Sequence, residues 1–475
     1  MKTAVLTYRY EFLAIIFLSA IVAVLHTLYA FKFPPPWNDE TAFIAQAFEL
    51  SRTGSLFVWG LNPDRVVAWM PPGYMLVLAA AFKLFGYSFT LARATSGLFY
   101  VATFAILALL MRQNLTGNRR LAALAMSLLV FLAPMSIVIA NIARMEALFA
   151  LLMFFALLAS IKSRPILGAA IVLATATVHF NAIYFLLPVA TFFLWNVARQ
   201  TAITVYPTEI VALGLAATAL ALYVMHISPN AIGFVEDMRY QFGYKIFFSS
   251  MAGIRPKIVT LLLCALPILQ LATEKKFSSG VFISLFGISF VAMALNGFNM
   301  WYEYGQSFGY FLIALGLFIS LNEAGSKIRY TLLLTATLAP LAGLGLHAAR
   351  ISPQFVPMIA ALQAPDRAFL PDGEFQRIRN FIASREAGTI ISFGYTGIEP
   401  FFFDDIADAN VRWSILGHSV TQPKPARIID ARIHCDSSFL PAYLSTFDLG
   451  GYAIQGHDTG CIVKELQREA QAPSP

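Results

Sequence analysis

The sequence predicts a mainly α-helical, polytopic membrane protein with a small α/β domain after its last membrane segment. Apolar residues make up 58% of the 475-residue chain and charged residues 12%, which is about half the charged share of a soluble protein. Apolar runs of about 20 residues, the length of a membrane-crossing helix, recur as far as Leu346. After Arg350 the composition becomes that of a small α/β domain.

The first apolar run, residues 12–31, is predicted to be a retained membrane helix. It is too long for the hydrophobic core of a signal peptide, and no small-residue cleavage site clearly follows it. Lys2 and Arg9 precede it. Because positive charges favour the cytoplasmic side, we expect the N-terminus in the cytoplasm.

The apolar segment 72–86 decides the rest of the topology. At about 15 residues it is shorter than a membrane span needs, and it carries Lys83. We therefore place it at the interface, which leaves about eleven spans: 12–31, 90–111, 120–140, 146–161, 165–180, 182–198, 209–226, 257–273, 278–296, 303–321 and 330–349. The cytoplasmic loops are then all short and basic, as the positive-inside rule requires. If 72–86 crossed the membrane, every one of these loops would lie outside.

The net charge of +7 belongs to the membrane part, because acidic residues slightly outnumber basic ones after Arg350. This distribution fits topology signals and contact with anionic membrane lipids rather than nucleic acid. The sequence contains no Walker loop, no GxGxxG after a strand, no HExxH and no CxxC motif.

Polar groups gather in the loops assigned to the outer face. These loops are the first outer loop (32–89), a turn with Arg144 and Glu146, a turn at His179–Asn181, and the fourth outer loop (227–256). Because all four lie on one side of the membrane, we expect them to serve one site.

Two adjacent carboxylates, Asp39 and Glu40, follow the first span at the expected membrane–water boundary. An amphipathic helix is predicted from Ala42 to Arg52. An isolated acidic pair is most often a solvated boundary or a helix cap. Ionisable groups held at a membrane boundary are nevertheless the first candidates for chemistry.

The ordered motifs of this region resemble the first outer loop of polytopic GT-C glycosyltransferases, in the group of protein O-mannosyltransferases and the lipid A aminoarabinose transferase. In order, they are Asp39-Glu40, Gly54, the MPPGY segment 70–74, the LFG segment 84–86 and Arg93. The likeness covers roughly residues 30–200. It implies transfer of a sugar from a polyprenyl-phosphate donor to an acceptor hydroxyl, with inversion, on the outer face of a bacterial inner membrane. The acceptor would be a lipid such as lipid A, a glycan or a protein.

The resemblance also implies roles for single residues. Asp39 would be the general base, with Glu40 beside it. The donor phosphate would be bound by Arg93, His179 and Arg239. Because a lone His is often a core residue and a loop Arg is often solvated, these readings stay open for His179 and Arg239.

Arg144 and Glu146 would contact the acceptor or a metal, and the alternative is a salt bridge at a helix start. No cofactor is indicated, and a divalent cation is left open. Met70 and Ala42 stand where relatives with an aminoarabinose donor carry Lys and Arg, which indicates a different sugar.

Two other classes of function stay open, namely a transporter or flippase for a lipid-linked saccharide and a non-catalytic assembly subunit. Transporters tend to carry ionisable residues at mid-membrane and to have repeated halves. Neither feature is evident in this sequence.

The predicted domains are 1–349 in the membrane and 350–475 outside it. In the second, a helix is predicted at Gly373–Ala387. Strands are predicted at Thr389–Tyr395, Ala426–Ile433, Gly451–Gln455 and Cys461–Leu466. Because an outer compartment is oxidising, we expect a disulfide between Cys435 and Cys461.

Overall fold

The computed structural model describes residues 2–29, 38–58, 65–68, 70–198, 205–237, 255–274, 277–297, 303–321 and 326–363, and five strands between 390 and 468. The helices are α1 Lys2–Tyr29, α2 Asn38–Thr53, α3 Gly73–Phe85, α4 Phe89–Asn114, α5 Gly117–Phe131, α6 Pro134–Ala140, α7 Glu146–Ile161, α8 Pro165–Thr175, α9 Ile183–Ala198, α10 Pro207–Ile227, α11 231–237, α12 Arg255–Glu274, α13 Ser279–Gly297, α14 Glu303–Ser320 and α15 Lys327–Gln363. Short 3-10 turns at Phe180–Ala182 and Ser228–Asn230 precede α9 and α11.

The protein is a multi-pass membrane protein. Among the described residues, five helical segments are long and apolar enough to cross a bilayer: Tyr8–Thr27, Phe89–Asn114, Phe180–Ala198, Pro207–Asp237 and Lys327–Leu346. Other predicted spans are shorter apolar helices, among them α7 and α8. The number of eleven spans therefore stays a prediction.

The predicted span 120–140 is divided in the structure into α5 and α6. Pro134 begins α6, and Ala133 before it has an extended backbone, with φ −60° and ψ 141°. Proline has no N–H to donate, and it disfavours a helical conformation in the preceding residue. The predicted span 120–140 is therefore not one continuous helix, and its crossing of the membrane stays a prediction.

Helices α1 and α4 run antiparallel. At one end the guanidinium of Arg112 lies 3.9 Å from the ring centre of Tyr8. At the other end α4 packs on α1 so closely that a Cβ on Gly97 would lie 2.6 Å from Nε2 of His26. A single membrane crossing between α1 and α4 would make them parallel. The geometry therefore agrees with the placement of 72–86 at the interface.

Helices α13 and α14 cross at two pairs of glycines. A Cβ on Gly287 would lie 2.7 Å from the carbonyl oxygen of Gly309, and the reverse distance is also 2.7 Å. Gly280 and Gly316 form a second such pair, with distances of 2.6 and 2.4 Å. Only residues without side chains allow membrane helices to approach so closely.

A cluster of phenylalanines forms the core beside this crossing. Phe290 of α13 contacts the ring of Phe185 of α9 at 4.7 Å and the ring of Phe154 of α7 at 5.9 Å. Phe308 of α14 lies 5.1 Å from Phe131 of α5. These contacts tie α5, α7, α9, α13 and α14 into one packed group.

The chain divides into two compact units. One comprises 1–28, 68–74 and 93–357, and the other 29–67, 75–92 and 358–475. Helix α15 continues without interruption through position 350, where the sequence predicted a domain boundary.

The C-terminal strands form one mixed sheet. They are β1 Ile390–Phe393, β2 Arg412–Ile415, β3 Arg427–Ala431, β4 Tyr452–His457 and β5 Val463–Arg468, in the order β2-β1-β3-β5-β4. Strand β1 pairs in parallel with β2 and β3, whereas β5 pairs antiparallel with β3 and β4. Four of the strands overlap predicted ones, and β2 was not predicted. The helix predicted at 373–387 lies outside the described residues.

Candidate active site

The MPPGY segment lies directly against the chain that precedes His179. The amide of Gly73 donates a hydrogen bond of 2.7 Å to the carbonyl oxygen of Thr177. A Cβ on Gly73 would meet that same oxygen at 2.7 Å, so a larger residue would push the two segments apart. The close approach explains the glycine of this motif.

Tyr74 connects the same segment to α4 and to the turn before α7. Its hydroxyl is 2.8 Å from Oγ of Ser96, and both side chains are fully buried. Oγ of Ser96 in turn lies 3.4 Å from the carbonyl oxygen of Arg144, to which it donates. Two predicted outer segments therefore meet at Ser96, a residue that the sequence did not single out.

Arg144 and Glu146 form a buried ion pair. Nη2 of Arg144 lies 2.9 Å from Oε1 of Glu146, and Nε lies 3.2 Å from each carboxylate oxygen. The two side chains are 2% and 0% exposed, so this pair is no solvated surface bridge. Glu146 begins α7, where the helix dipole favours a negative charge.

His179 sits at the turn between α8 and α9. Its side chain is buried and its ring packs 5.3 Å from that of Phe149. Nδ1 accepts a 3.0 Å hydrogen bond from the amide of Asn181. In a neutral imidazole the proton must then be on Nε2, which makes that nitrogen a donor.

The start of the fourth outer loop contacts two other outer segments. The amide of Ala68 donates to Oδ2 of Asp237 at 3.1 Å. The ring of Phe180 lies 6.4 Å from Phe234 and 6.3 Å from Tyr223. Arg239, the predicted phosphate ligand of this loop, lies outside the described residues.

Arg93 is fully buried in α4, one turn before Gly97. A buried cation on the same helix as Ser96 places positive charge beside the segments that converge there. The structure thus brings three of the predicted outer segments together around α4: the MPPGY segment, the turn at 144–146 and the turn at 177–179. Ala68 and Phe180 join the beginning of the fourth to this group.

The acidic pair lies in the first turn of α2, which begins at Asn38 instead of position 42. Glu40 is fully buried. The side chain of Asp39 lies outside the described residues.

Gln46 holds the rest of the first outer loop to α2. Its Nε2 donates to the carbonyl oxygen of Val67 at 2.8 Å and to that of Leu56 at 3.5 Å. After Thr53, Gly54 ends the helix with φ +78°, a conformation that glycine adopts without strain. These residues fix the helix that presents the acidic pair.

The structure tests neither the predicted disulfide nor the divalent cation that the sequence leaves open. Cys435 and Cys461 lie outside the described residues. Among those that are described, no three His, Cys, Asp or Glu side chains are grouped as a metal site would require.

Sequence reasoning missed His26, Ser96 and Gln46. Ser96 and Gln46 act through contacts distant in sequence, which no local pattern reveals. His26 could have been found, because an ionisable residue near the end of an apolar span marks a candidate functional site.

Two solved structures are similar to this chain over nearly its full length. No family profile and no curated protein sequence matches it. The crystal structure of ArnT from Cupriavidus metallidurans bound to undecaprenyl phosphate has a TM-score of 0.52 and 12% identity, and covers 97% of this chain and 99% of that one. The apo structure of the same ArnT has a TM-score of 0.51 and 13% identity, with coverages of 95% and 97%. The chain has a GT-C-like fold.

Proposed function

We propose that this chain is a membrane glycosyltransferase that takes a sugar from a polyprenyl-phosphate carrier and transfers it, with inversion, to an acceptor hydroxyl. The observation that carries the proposal is the end-to-end likeness to ArnT, which was crystallised with undecaprenyl phosphate. The reaction takes place on the outer face of a bacterial inner membrane. The acceptor is lipid A or another envelope lipid, a polysaccharide or a protein.

The chemistry requires one base and a site for an anionic leaving group. The acceptor oxygen forms a bond to the anomeric carbon, while the bond from that carbon to the phosphate oxygen breaks. Asp39 takes the acceptor's proton, which is general-base work. The bonding electrons leave with polyprenyl phosphate, which is already anionic and needs cations or hydrogen-bond donors rather than an acid.

The predicted phosphate ligands supply the cations and hydrogen-bond donors that the anionic leaving group needs. Arg93 contributes a buried guanidinium, His179 contributes a donor at Nε2, and Arg239 contributes the cation of the fourth outer loop. The Arg144–Glu146 pair orients the acceptor.

Convergence of the outer segments supports one shared site. Contacts from Gly73 to Thr177, from Tyr74 to Ser96 and from Ala68 to Asp237 join segments far apart in sequence. A site at the ends of the helices lets the polyprenyl tail stay in lipid while sugar and acceptor meet in water. In this arrangement the N-terminus is cytoplasmic and the C-terminal strands are periplasmic.

The proposal is tested with purified protein in nanodiscs and a panel of undecaprenyl-phosphate sugars. We expect one donor to release undecaprenyl phosphate in step with labelling of an envelope acceptor extract, and Asp39→Asn to abolish both. Movement of the intact lipid-linked sugar between leaflets of proteoliposomes, without release of sugar, would instead identify a flippase. No turnover with any donor, by folded protein, would remove the glycosyltransferase reading.

A further inference from the structure

His26 is a buried imidazole. It lies in the last turn of α1 and is 8% exposed. In the part of the chain that the structure describes, neither Nδ1 nor Nε2 has a hydrogen-bond partner. Leaving a buried polar group unsatisfied is costly, so native proteins rarely do it without a reason. The ring therefore marks a place where a ligand atom would complete the hydrogen bonding.

The surroundings of His26 favour an anion. A Cβ on Gly97 would lie 2.6 Å from Nε2, so the ring sits directly over that glycine of α4. Arg93 lies one helical turn before Gly97 on the same face, is fully buried, and is close enough for its charge to act on the imidazole. An oxyanion beside both groups would accept a hydrogen bond from the ring N–H and be stabilised by the guanidinium.

The depth of His26 fits a lipid phosphate. Helix α1 ends at Tyr29, so its last turn lies where a membrane helix leaves the hydrocarbon. Large apolar side chains along α1 are exposed and form a surface on which an isoprenoid chain can lie: Phe12, Leu13, Ile16, Phe17 and Val24. His26 itself lies on the buried stripe of α1 with Leu18 and Val22, so a head group would reach it at the end of the helix while the tail stays on the exposed side.

We propose that His26 donates a hydrogen bond to the phosphate of the polyprenyl donor, beside Arg93, with the lipid tail along the exposed face of α1. This inference rests on the proposed function, to which it adds a ligand on the membrane side of the phosphate. In a purely structural role, the His26 ring would instead donate a hydrogen bond to the carbonyl oxygen of Ala140, which also lies beside Gly97.

Direct binding of undecaprenyl phosphate tests the proposal. Native mass spectrometry of the protein in nanodiscs is applied to wild type, His26→Leu and His26→Gln, with phosphatidylglycerol as a second lipid. The matched control is His226→Leu, at an exposed histidine in the last turn of α10. Because a hydrogen bond to a charged group is worth about tenfold or more in affinity, we expect His26→Leu to weaken binding of undecaprenyl phosphate by about that factor. His26→Gln, which keeps a donor, should retain part of the affinity.

The outcomes separate the two proposals. Unchanged affinity for undecaprenyl phosphate in folded His26→Leu or His26→Gln would overturn the role of His26 and leave the glycosyltransferase proposal standing. An equal loss for phosphatidylglycerol would overturn the inference by identifying a general phospholipid contact. Absence of selective binding by the wild type would count against the proposed function itself. If His26→Leu does not fold, the affinity of His26→Gln for undecaprenyl phosphate is the test: a partial loss supports the role of His26, and an unchanged affinity overturns it.

Discussion

At the scale of single residues, the buried pair of Arg144 and Glu146 is more than a helix-start salt bridge. Both charges are removed from water, and each depends on the other to offset the loss of hydration. Removing one member of such a pair lowers the stability of the fold strongly, whereas removing both members lowers it only slightly. This asymmetry separates its contribution to stability from its contribution to the site.

Arg144→Met should lower stability by about 3–5 kcal/mol, because it leaves the carboxylate of Glu146 buried without its cation. The double variant Arg144→Met with Glu146→Met should recover most of that loss, since no buried charge remains. Thermal unfolding in detergent measures both effects. Because we place the pair at the acceptor, transfer by the double variant should stay low; full activity would show the pair to be structural alone.

The choice of base between Asp39 and Glu40 is also a matter of single residues. The resemblance of the first outer loop places the base on Asp39, with the fully buried Glu40 beside it in the first turn of α2. Asp39→Asn should keep the fold and donor binding and lower transfer at least about 100-fold, the usual scale for removing a general base. Glu40→Gln should lower the transfer rate less than Asp39→Asn does. Single-turnover assays with a saturating donor measure both, and the reverse order of effects would reassign the base to Glu40.

At the scale of elements, the crossing of α13 and α14 depends on the absence of side chains. A Cβ on Gly309 would lie 2.5 Å from Cγ2 of Val291 and 2.7 Å from the carbonyl oxygen of Gly287. Gly309→Ala should therefore destabilise the protein by about 1–3 kcal/mol, the usual cost of overpacking. The control is Gly214→Ala in α10, where a Cβ meets nothing within 4 Å. Because alanine favours helices, this control should be neutral or slightly stabilising in thermal unfolding, and an equal loss in both variants would contradict the argument.

The cysteine pair is a prediction about strands. Strand β3 pairs antiparallel with β5, with Ala431 opposite Val463. The sequence predicts a strand that begins at Cys461 and pairs near 433–436. We expect a Cys435–Cys461 disulfide that stabilises by about 3 kcal/mol on the chain-entropy model. Thiol labelling and peptide mapping of unreduced protein measure it, and two free thiols would show the prediction to be wrong.

Elements were more predictable than contacts. Long apolar runs and alternating strand patterns depend on neighbouring residues, so α4, α10 and β3 lie close to their predicted places. The break between α5 and α6 was missed although Pro134 signals it, because hydropathy averaged over 120–140 hides a single residue.

The candidate site was predictable only in part. The sequence places Arg93, Arg144 and His179 near helix ends, but Ser96 and Tyr74, which connect them, owe their role to tertiary packing. An amphipathic pattern also does not fix where a helix starts. For this reason the acidic pair lies inside α2 and not before it.

At the scale of the whole molecule, the relative direction of two packed membrane helices limits the topology. It fixes whether the chain between them crosses the membrane an even or an odd number of times. Helices α1 and α4 are antiparallel, with Arg112 near Tyr8 at one end and Gly97 near His26 at the other. An odd number of crossings between them is therefore excluded. Helices α7 and α8 are joined by the short turn 162–164 and pack on each other, so as a hairpin they return the chain to the side from which it came.

With the predicted spans, these constraints agree with basic loops on one side of the membrane. We expect reporter fusions near Arg120, Lys276 and Lys327 to report the cytoplasm, and fusions after Arg350 to report the periplasm, because short basic loops stay inside. Paired fusions of a phosphatase active only outside and a fluorescent protein active only inside measure this. An external signal at Arg120 would require an odd number of crossings before α5, against the antiparallel packing of α1 and α4 with a cytoplasmic N-terminus. An external signal at Lys276 alone would mean that a segment between α5 and α13 had been miscounted. If that segment precedes the fourth outer loop, Arg239 would lie on the wrong side to bind the donor phosphate.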